Sequence, residues 1–171
     1  MQQRINAIVV MGVTACGKST IAEAIAQGAG GEHIEGDQFH SAASIEKMRA
    51  GIALDDEDRA EWLGQLGQLL VNAIAAGKKP VLSCSALKRA YRDQLRTAVP
   101  ELGFVFLDID QAEVQRRAAL RKGHFMSMKL ISSQFSTLQR PDSEPRVLTV
   151  DATLPVAEIS RQAVDWWKTS G

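Results

Sequence analysis

The sequence contains few cysteines: there are two in 171 residues, Cys16 and Cys84. They lie far apart and do not form a CxxC pair, so the sequence predicts neither a disulfide framework nor a zinc knuckle. The histidines also fail to form a recognisable metal-ligand spacing. This cysteine usage is typical of a reducing compartment.

The sequence also lacks net charge and long apolar runs. Twenty Lys and Arg balance twenty Asp and Glu, so no overall field favours nucleic acid or an anionic membrane, and any anion site must be local. No stretch approaches the roughly 20 apolar residues of a membrane span. Residues 1–6 lead into only a short apolar run, unlike a secretory signal. We therefore expect a cytoplasmic protein with no nucleic-acid or membrane partner.

The length and the ordinary globular composition, 45% hydrophobic and 23% charged, favour a single domain over residues 1–171. Apolar runs predict strands at 7–11, 33–35, 80–83, 103–107 and 147–150. Helical periodicity and capping residues predict helices at about 18–27, 44–50 (capped by Ser44), 55–76, 87–98, 111–121, 129–138 and 156–167. This alternation predicts an α/β fold with a five-stranded parallel sheet and helices on both faces.

The first strand is followed by a phosphate-binding motif. Residues 12–19, GVTACGKS, fit the P-loop pattern GxxxxGK(S/T), and a helix follows. Its glycines let backbone N–H groups surround a phosphate, while the lysine neutralises the outer phosphates and the hydroxyl binds Mg²⁺. The predicted nucleotide-binding residues are Gly12, Val13, Thr14, Ala15, Cys16, Gly17, Lys18, Ser19 and Thr20, with Ser19 as the metal ligand. The alternative is a tight βα turn with an incidental lysine; a dinucleotide-binding fingerprint fits poorly because its third glycine is missing.

The class of P-loop protein follows partly from what is missing. The only asparagines are Asn6 and Asn72, and neither begins an NKxD guanine-recognition motif, so a GTPase is disfavoured. The run Phe104 to Asp108 resembles the Walker-B strand of large ATPases. We interpret it instead as a later strand with Asp108 in the following loop, and we predict a small-molecule kinase.

Five further segments join the P-loop in a specific order. They are GDQFH at 36–40, IEKM at 45–48, DDEDRAEWL at 55–63, SCSALKRAYRDQLR at 83–96 and RKGHFM at 121–126. Together they resemble the bacterial gluconokinase family along essentially the whole chain. The resemblance implies ATP- and Mg²⁺-dependent phosphorylation of D-gluconate to 6-phosphogluconate, by a homodimer. It also implies a three-layer P-loop kinase fold, related to nucleoside monophosphate and shikimate kinases, with a substrate-binding insertion at about 38–60 and a helical lid at about 117–138.

The second strand ends at Asp37, and ligands of open parallel sheets bind at the carboxyl ends of the strands. We predict Asp37 as the base that accepts the proton of the substrate hydroxyl; the alternative is a turn or helix-capping aspartate. His40, three residues later, either binds substrate hydroxyls or caps the short helix.

Gluconate, an acid with five hydroxyls, needs a cation and several neutral donors and acceptors. The predicted substrate-binding residues are Asp37, His40, Arg59, Ser85, Lys88 and Arg92, with Lys88 and Arg92 on one helical face at i, i+4. The alternatives are a salt bridge of Arg59 with Asp55 or Asp56, and a solvated face for Lys88 and Arg92.

The remaining candidates are basic or follow the fifth strand. Arg117 and Arg121 share one face, with Arg116 facing solvent, and we predict that they act on the transferring phosphate together with Lys18; the alternative is a solvated helix. The resemblance places Thr153 near the adenine base. Rival functions are another kinase of this fold, such as a shikimate kinase, and a regulatory module that binds nucleotide without turnover.

Overall fold

The computed structural model describes residues 4–120 and 128–170. They contain a parallel sheet of five strands, β1 Ala7–Met11, β2 Glu32–Glu35, β3 Pro80–Ser83, β4 Leu102–Asp108 and β5 Val147–Asp151, in the order β2-β3-β1-β4-β5. Every pair of neighbours is parallel. The predicted α/β class and parallel sheet are confirmed. Asp108 is the last residue of β4 rather than a loop residue.

The α-helices are α1 Lys18–Ala29, α2 Ala42–Arg49, α3 Asp56–Ala75, α4 Arg89–Ala98, α5 Gln111–Leu120, α6 Met128–Thr137 and α7 Val156–Thr169. A short 3₁₀ turn, Gly36–Phe39, follows β2. None of the helices in the described ranges is long and apolar enough to cross a membrane. Both cysteines are buried and unpaired.

The sheet separates two apolar cores, because strand side chains alternate between its faces. On one face, Ile8 and Val10 of β1 pack in a core with buried residues of α1 and α7. On the other face, Ala7 and Val9 pack with buried residues of α3 and α4. The result is the expected three-layer arrangement. The P-loop, residues 12–19, follows the carboxyl end of the central strand β1.

Two helix starts show how local sequence sets these boundaries. Asp55 accepts from the Asp58 N–H, while the Asp58 side chain accepts from the Asp55 N–H, so α3 begins with a reciprocal capping box. In contrast, the predicted cap of α2 was three residues late. Ser41 has the extended backbone of a cap and accepts from the Ser44 N–H, while Ser44 itself is buried inside the helix.

Candidate active site

The P-loop lies between β1 and α1, where backbone N–H groups meet the start of a helix. Gly17 is the residue before α1 and has a φ of 91°, and Gly12 has a φ of 151°. A side chain at Gly12 would lie 2.9 Å from the Cys16 sulfur, so only glycine fits this tight loop. Lys18 Nζ donates to the Val13 carbonyl at 3.0 Å. The lysine therefore lies across the loop, where it can reach a phosphate group.

A carboxylate from β2 completes this end of the sheet. The Ser19 hydroxyl donates to Glu35, the last residue of β2. The sequence analysis missed Glu35, although the strand-end rule that selected Asp37 applies to it equally. A hydroxyl and a carboxylate are hard oxygen ligands, which Mg²⁺ prefers. The described residues contain no group of three or more His, Cys, Asp or Glu placed to hold a metal, and Mg²⁺ in kinases is usually held by one or two protein ligands with water and phosphate oxygens. Ser19 and Glu35 supply two oxygen ligands, the usual number from protein, and therefore fit a Mg²⁺ site.

Asp37 lies on the 3₁₀ turn directly after β2, and its side chain is 77% exposed. A side chain at the neighbouring Gly36 would lie 2.5 Å from the Ser83 carbonyl, so the turn packs directly on the end of β3. Trp62 Nε1 donates to the Gly36 carbonyl at 2.9 Å and anchors the turn to α3. Because Ser41 caps α2, Asp37 is not needed as a helix cap. Its carboxylate faces solvent at the edge of the sheet that carries the P-loop.

The thiol of Cys84 is buried directly after β3. Burial raises the pKa of Cys84 to about 12, and Asp37 and Glu35 add to this rise in pKa while Lys18 opposes it. The geometry that links these groups is the bond from Ser19 to Glu35, which joins the start of α1 to the end of β2, with Asp37 two residues further on.

His40 lies beside Asp37, with 3.9 Å between its Nε2 and the carboxylate Oδ1. Its ring stacks on Trp62 at a centroid distance of 4.3 Å. Burial lowers the pKa of His40, with Asp37 opposing and Arg59 adding to the decrease. A lowered pKa favours the neutral imidazole at neutral pH, a form that both donates and accepts hydrogen bonds.

Two of the predicted substrate cations meet near this turn. Arg59 Nη1 donates to the Leu54 carbonyl at 2.9 Å and lies 3.4 Å from the Tyr91 hydroxyl. Lys88 Nζ lies 3.7 Å from Asp56 Oδ1. The loop that carries Ser85 is tied to the P-loop, since the Gly12 N–H donates to the Ser85 carbonyl at 3.3 Å. Arg59, Ser85 and Lys88 stay predictions: Ser85 contacts the P-loop, whereas Arg59 and Lys88 lie at the Tyr91 ring.

Arg92 does not belong with them, and the prediction that it binds substrate is corrected here. Its side chain is fully buried and donates to both oxygens of Glu144, at 2.9 and 2.6 Å, and to the carbonyls of Ala86 and Gln139. The expected shared face is absent because Lys88 precedes α4 and has an extended backbone, with φ −99° and ψ 144°. All three guanidinium nitrogens of Arg92 are occupied inside the protein.

Arg117 of α5 reaches the P-loop. Its Nη1 lies 3.4 Å from the Ala15 carbonyl, and its Nη2 donates to the Ala152 carbonyl at 2.9 Å. Burial raises the pKa of Cys16, and the charges of Lys18 and Arg117 oppose that rise in pKa. As expected, Arg116 is more exposed, with 61% of its side chain accessible against 27% for Arg117. Arg121 lies outside the described residues.

Two further side chains border the P-loop and the segment after β5. Gln134 Oε1 of α6 accepts from the Thr14 N–H at 2.6 Å, a contact that the sequence gave no reason to expect. Thr153 donates to Asp151 through its backbone N–H at 2.8 Å and its hydroxyl at 2.6 Å, which forms a tight turn after β5. Ala152 in that turn is the residue whose carbonyl holds Arg117.

Comparisons with known proteins show which family the chain resembles. A family profile described as an AAA domain matches residues 8–141. The chain is 43% identical over 143 residues to a gluconokinase of Gluconobacter oxydans, covering 84% of this chain and 80% of that protein. It is 37% identical over 158 residues to the thermoresistant gluconokinase of Escherichia coli, covering 92% and 90%.

Solved structures give the same result for the fold. The crystal structure of a gluconokinase from Sinorhizobium meliloti is similar with a TM-score of 0.87 and 43% identity, covering 97% of this chain and 94% of that one. The APS kinase of Mycobacterium tuberculosis has a TM-score of 0.72 at 18% identity, which shows a shared fold alone.

Proposed function

Because the chain belongs to the gluconokinase family of P-loop kinases, we propose that it transfers the γ-phosphate of ATP to D-gluconate and forms 6-phosphogluconate. The observation that carries this proposal is the hydrogen bond from Ser19, next to Lys18 in the P-loop, to Glu35, which ends β2 two residues before Asp37. A phosphate-binding loop and an exposed carboxylate thus both follow carboxyl ends of strands in one parallel sheet, where ligands of such sheets bind. This is the arrangement that phosphoryl transfer to an alcohol requires.

The P-loop holds the phosphates of ATP. Backbone N–H groups of residues 12–19 and the positive end of α1 face the phosphate oxygens, and Lys18 exchanges the Val13 carbonyl for the outer phosphates. The Thr14 N–H is at present bonded to Gln134, so this residue yields the N–H when a phosphate oxygen takes it. Arg117, held beside Ala15, adds a second positive charge near the loop.

Ser19 and Glu35 are the residues that would hold Mg²⁺. When bound, the ion neutralises charge on the phosphate oxygens. The protein's own contribution here is position: Ser19 opens α1 and Glu35 ends β2, so both are fixed by regular secondary structure.

Asp37 orients the C6 hydroxyl of gluconate and accepts its proton. The hydroxyl oxygen forms a bond to the γ-phosphorus, the bond from that phosphorus to the bridging oxygen breaks, and ADP leaves with that electron pair. Neutral His40, held against Trp62, is placed to bind a substrate hydroxyl. Lys18 and Arg117 offset the negative charge of the transferring group.

Arg59, Ser85 and Lys88 bind the acid and hydroxyl groups of gluconate, and residues 38–60 form the substrate-binding insertion. We propose the lid at about 117–138; residues 121–127 of this range, with Arg121 as its proposed second arginine, lie outside the described residues. We assign Thr153, in the turn after β5, to the adenine side of the nucleotide. The Ala152 carbonyl links this turn to Arg117 and supports the assignment.

We further propose a cytoplasmic homodimer. Two free cysteines fit a reducing compartment. On α2, Ile45 and Met48 lie on one helical face with 37% and 43% of their surface exposed, and we propose this face as the contact between two copies. Light scattering on the purified protein measures the assembly directly.

The function is tested with purified protein, ATP, Mg²⁺ and a panel of sugar acids together with shikimate and nucleoside monophosphates. We expect phosphorylation of gluconate. Turnover should fall by at least about 100-fold in Lys18→Ala, because this variant lacks the positive charge that stabilises the transferring phosphate. Lys78→Ala is the matched control, since Lys78 is exposed and pairs with Glu32 at the protein surface. Activity on shikimate or nucleotides without activity on gluconate would refute the proposal.

A further inference from the structure

One aromatic side chain, Tyr91, joins the two cations assigned to the substrate. The Arg59 guanidinium carbon lies 5.8 Å and Lys88 Nζ lies 5.6 Å from the centroid of its ring. The Tyr91 hydroxyl donates to Asp56 Oδ1 at 3.1 Å. Lys88 lies 3.7 Å from the same carboxylate oxygen. We call these four side chains, Asp56, Arg59, Lys88 and Tyr91, the tyrosine cluster.

The tyrosine ring lets two like charges share a small space. Arg59 and Lys88 repel each other, but the negative face of an aromatic ring attracts each of them by roughly 0.5–1 kcal/mol at exposed sites. The hydroxyl adds a contact to Arg59 Nη1 at 3.4 Å. Without the ring, both long side chains would regain their rotamer freedom. Tyr91 therefore fixes the separation of the two cations.

Within the tyrosine cluster, Tyr91 and Lys88 already contact a carboxylate, that of Asp56. Its side chain is 79% exposed, and exposed ion pairs contribute only about 0–1 kcal/mol. A carboxylate ligand can replace Asp56 against Tyr91 and Lys88 at little cost. The bonds of Arg59 to Leu54 and Tyr91 both use Nη1, so among the described residues its Nε and Nη2 are left for such a ligand.

The cluster lies next to the turn that carries Asp37. Arg59 is one helical turn before Trp62 on α3, and Trp62 both bonds the Gly36 carbonyl and stacks on His40. Gluconate has its carboxylate and its reacting hydroxyl at opposite ends of the carbon chain. One molecule that places the hydroxyl at Asp37 directs its carboxylate away from the P-loop, along α3.

We propose that Tyr91 is a positioning residue that holds Arg59 and Lys88 as a pair for the carboxylate of gluconate. It thereby sets the preference for the acid over neutral polyols of the same length. This inference rests on the proposed function and adds to it the residue that determines the substrate class.

The test compares gluconate with gluconamide, in which a neutral amide replaces the carboxylate. We expect the ratio of kcat/KM for gluconate over gluconamide to fall about tenfold in Tyr91→Leu, which lacks ring and hydroxyl, and a few-fold in Tyr91→Phe. The KM for ATP stays unchanged. Gln94→Ala is the matched control: Gln94 Nε2 joins α4 to the Ala60 carbonyl of α3 but lies outside the cluster, and its variant keeps the wild-type ratio.

A purely structural role for Tyr91 predicts equal losses on both substrates, and that result would overturn the inference. So would an unchanged ratio in Tyr91→Phe and Tyr91→Leu, or a wild type that does not distinguish the amide from the acid. If Tyr91→Leu does not fold, the ratio in Tyr91→Phe decides alone. Failure of the proposed function is separate and appears first, as a wild type that phosphorylates neither compound.

Discussion

Two groups of basic side chains meet at α4, and they differ in how completely the protein pairs them. In the inner group, Arg92 and Arg96 share Glu144, at 2.6 and 2.8 Å. The Arg92 and Glu144 side chains are 0% and 2% exposed. In the tyrosine cluster, Lys88 lies 3.7 Å from Asp56, and these side chains are 37% and 79% exposed. The inner group is buried and paired through Glu144, whereas the tyrosine cluster is exposed and accessible to a ligand.

This difference teaches how one short segment separates stability from binding. Arg92 also donates to the Ala86 carbonyl at 2.7 Å, and Ala86 has a positive φ of 45°, which L-residues seldom adopt. The buried ion pair thus holds the loop between β3 and α4 in a strained shape. Ser85 and Lys88 lie on that loop. The inner group therefore fixes the backbone of the loop from which Lys88 joins the tyrosine cluster.

The largest expected effect comes from breaking the inner group. Glu144→Gln leaves Arg92 and Arg96 without their buried carboxylate, so we expect the free energy of unfolding to fall by about 3–5 kcal/mol. Urea denaturation of the purified protein measures it. Glu46→Gln is the matched control, because the Glu46–Arg49 pair is 75% exposed on both sides and should change stability by less than about 0.5 kcal/mol.

The pH dependence of the same variant sharpens the comparison. Burial by itself raises the pKa of Glu144, but the hydrogen bonds from Arg92 and Arg96 bring this pKa below its ordinary value of 4.5. A carboxyl with a lowered folded pKa stabilises the protein above its unfolded pKa and loses that contribution as the pH falls through the folded pKa. The difference in the free energy of unfolding between wild type and Glu144→Gln should therefore become smaller below pH 4.5. A gap that stays constant on acidification would contradict the buried-pair account.

Local patterns predicted the parts of this protein that local residues determine. The five strands, the P-loop and the start of α3 follow from apolar runs, glycine spacing and the acidic residues at 55–58, and all appear at or near the expected positions. The structural role of Arg92 could not be predicted from local patterns. Its partner Glu144 is 52 residues away in the chain, so the sequence spacing showed only a helical neighbour, Lys88.

The sequence did contain a signal for Glu35 that was not used. Glu35 ends a strand beside the Gly36–Asp37 turn, and the carboxyl ends of parallel strands face the ligand crevice. Gln134 had no such signal. It reaches Thr14 across 120 residues, from a helix whose position depends on packing of Ile131 against the core.

The third prediction tests the tyrosine cluster, the exposed side of the comparison. Lys88→Met removes the charge that we propose binds the substrate carboxylate, and hydrogen bonds to charged groups contribute about 1.5–3 kcal/mol. We expect the KM for gluconate to rise by about 10- to 100-fold, with the KM for ATP unchanged. Stability should change by less than about 1 kcal/mol, because the pair with Asp56 is exposed.

Steady-state kinetics and urea denaturation of Lys88→Met give both numbers, and Lys78→Met, at an exposed lysine of the same type, controls for general effects of charge. If Lys88→Met instead lowered the free energy of unfolding by several kcal/mol and left the KM for gluconate unchanged, Lys88 would have a structural role like that of the inner group.

The smallest effect is expected for a basic residue of α4 that belongs to neither group. Arg89 pairs with Asp93 at 3.6 Å, with side chains 59% and 54% exposed. Its backbone N–H donates to Gln139 Oε1, a bond that alanine retains. Arg89→Ala should change the free energy of unfolding by less than about 0.5 kcal/mol, and removal of a positive charge from the first turn of a helix slightly favours the helix. The KM for gluconate should not change. If Arg89→Ala raised this KM as much as Lys88→Met, the acid would be attracted by the summed charge of α4, and the specific pair at Tyr91 would not be needed.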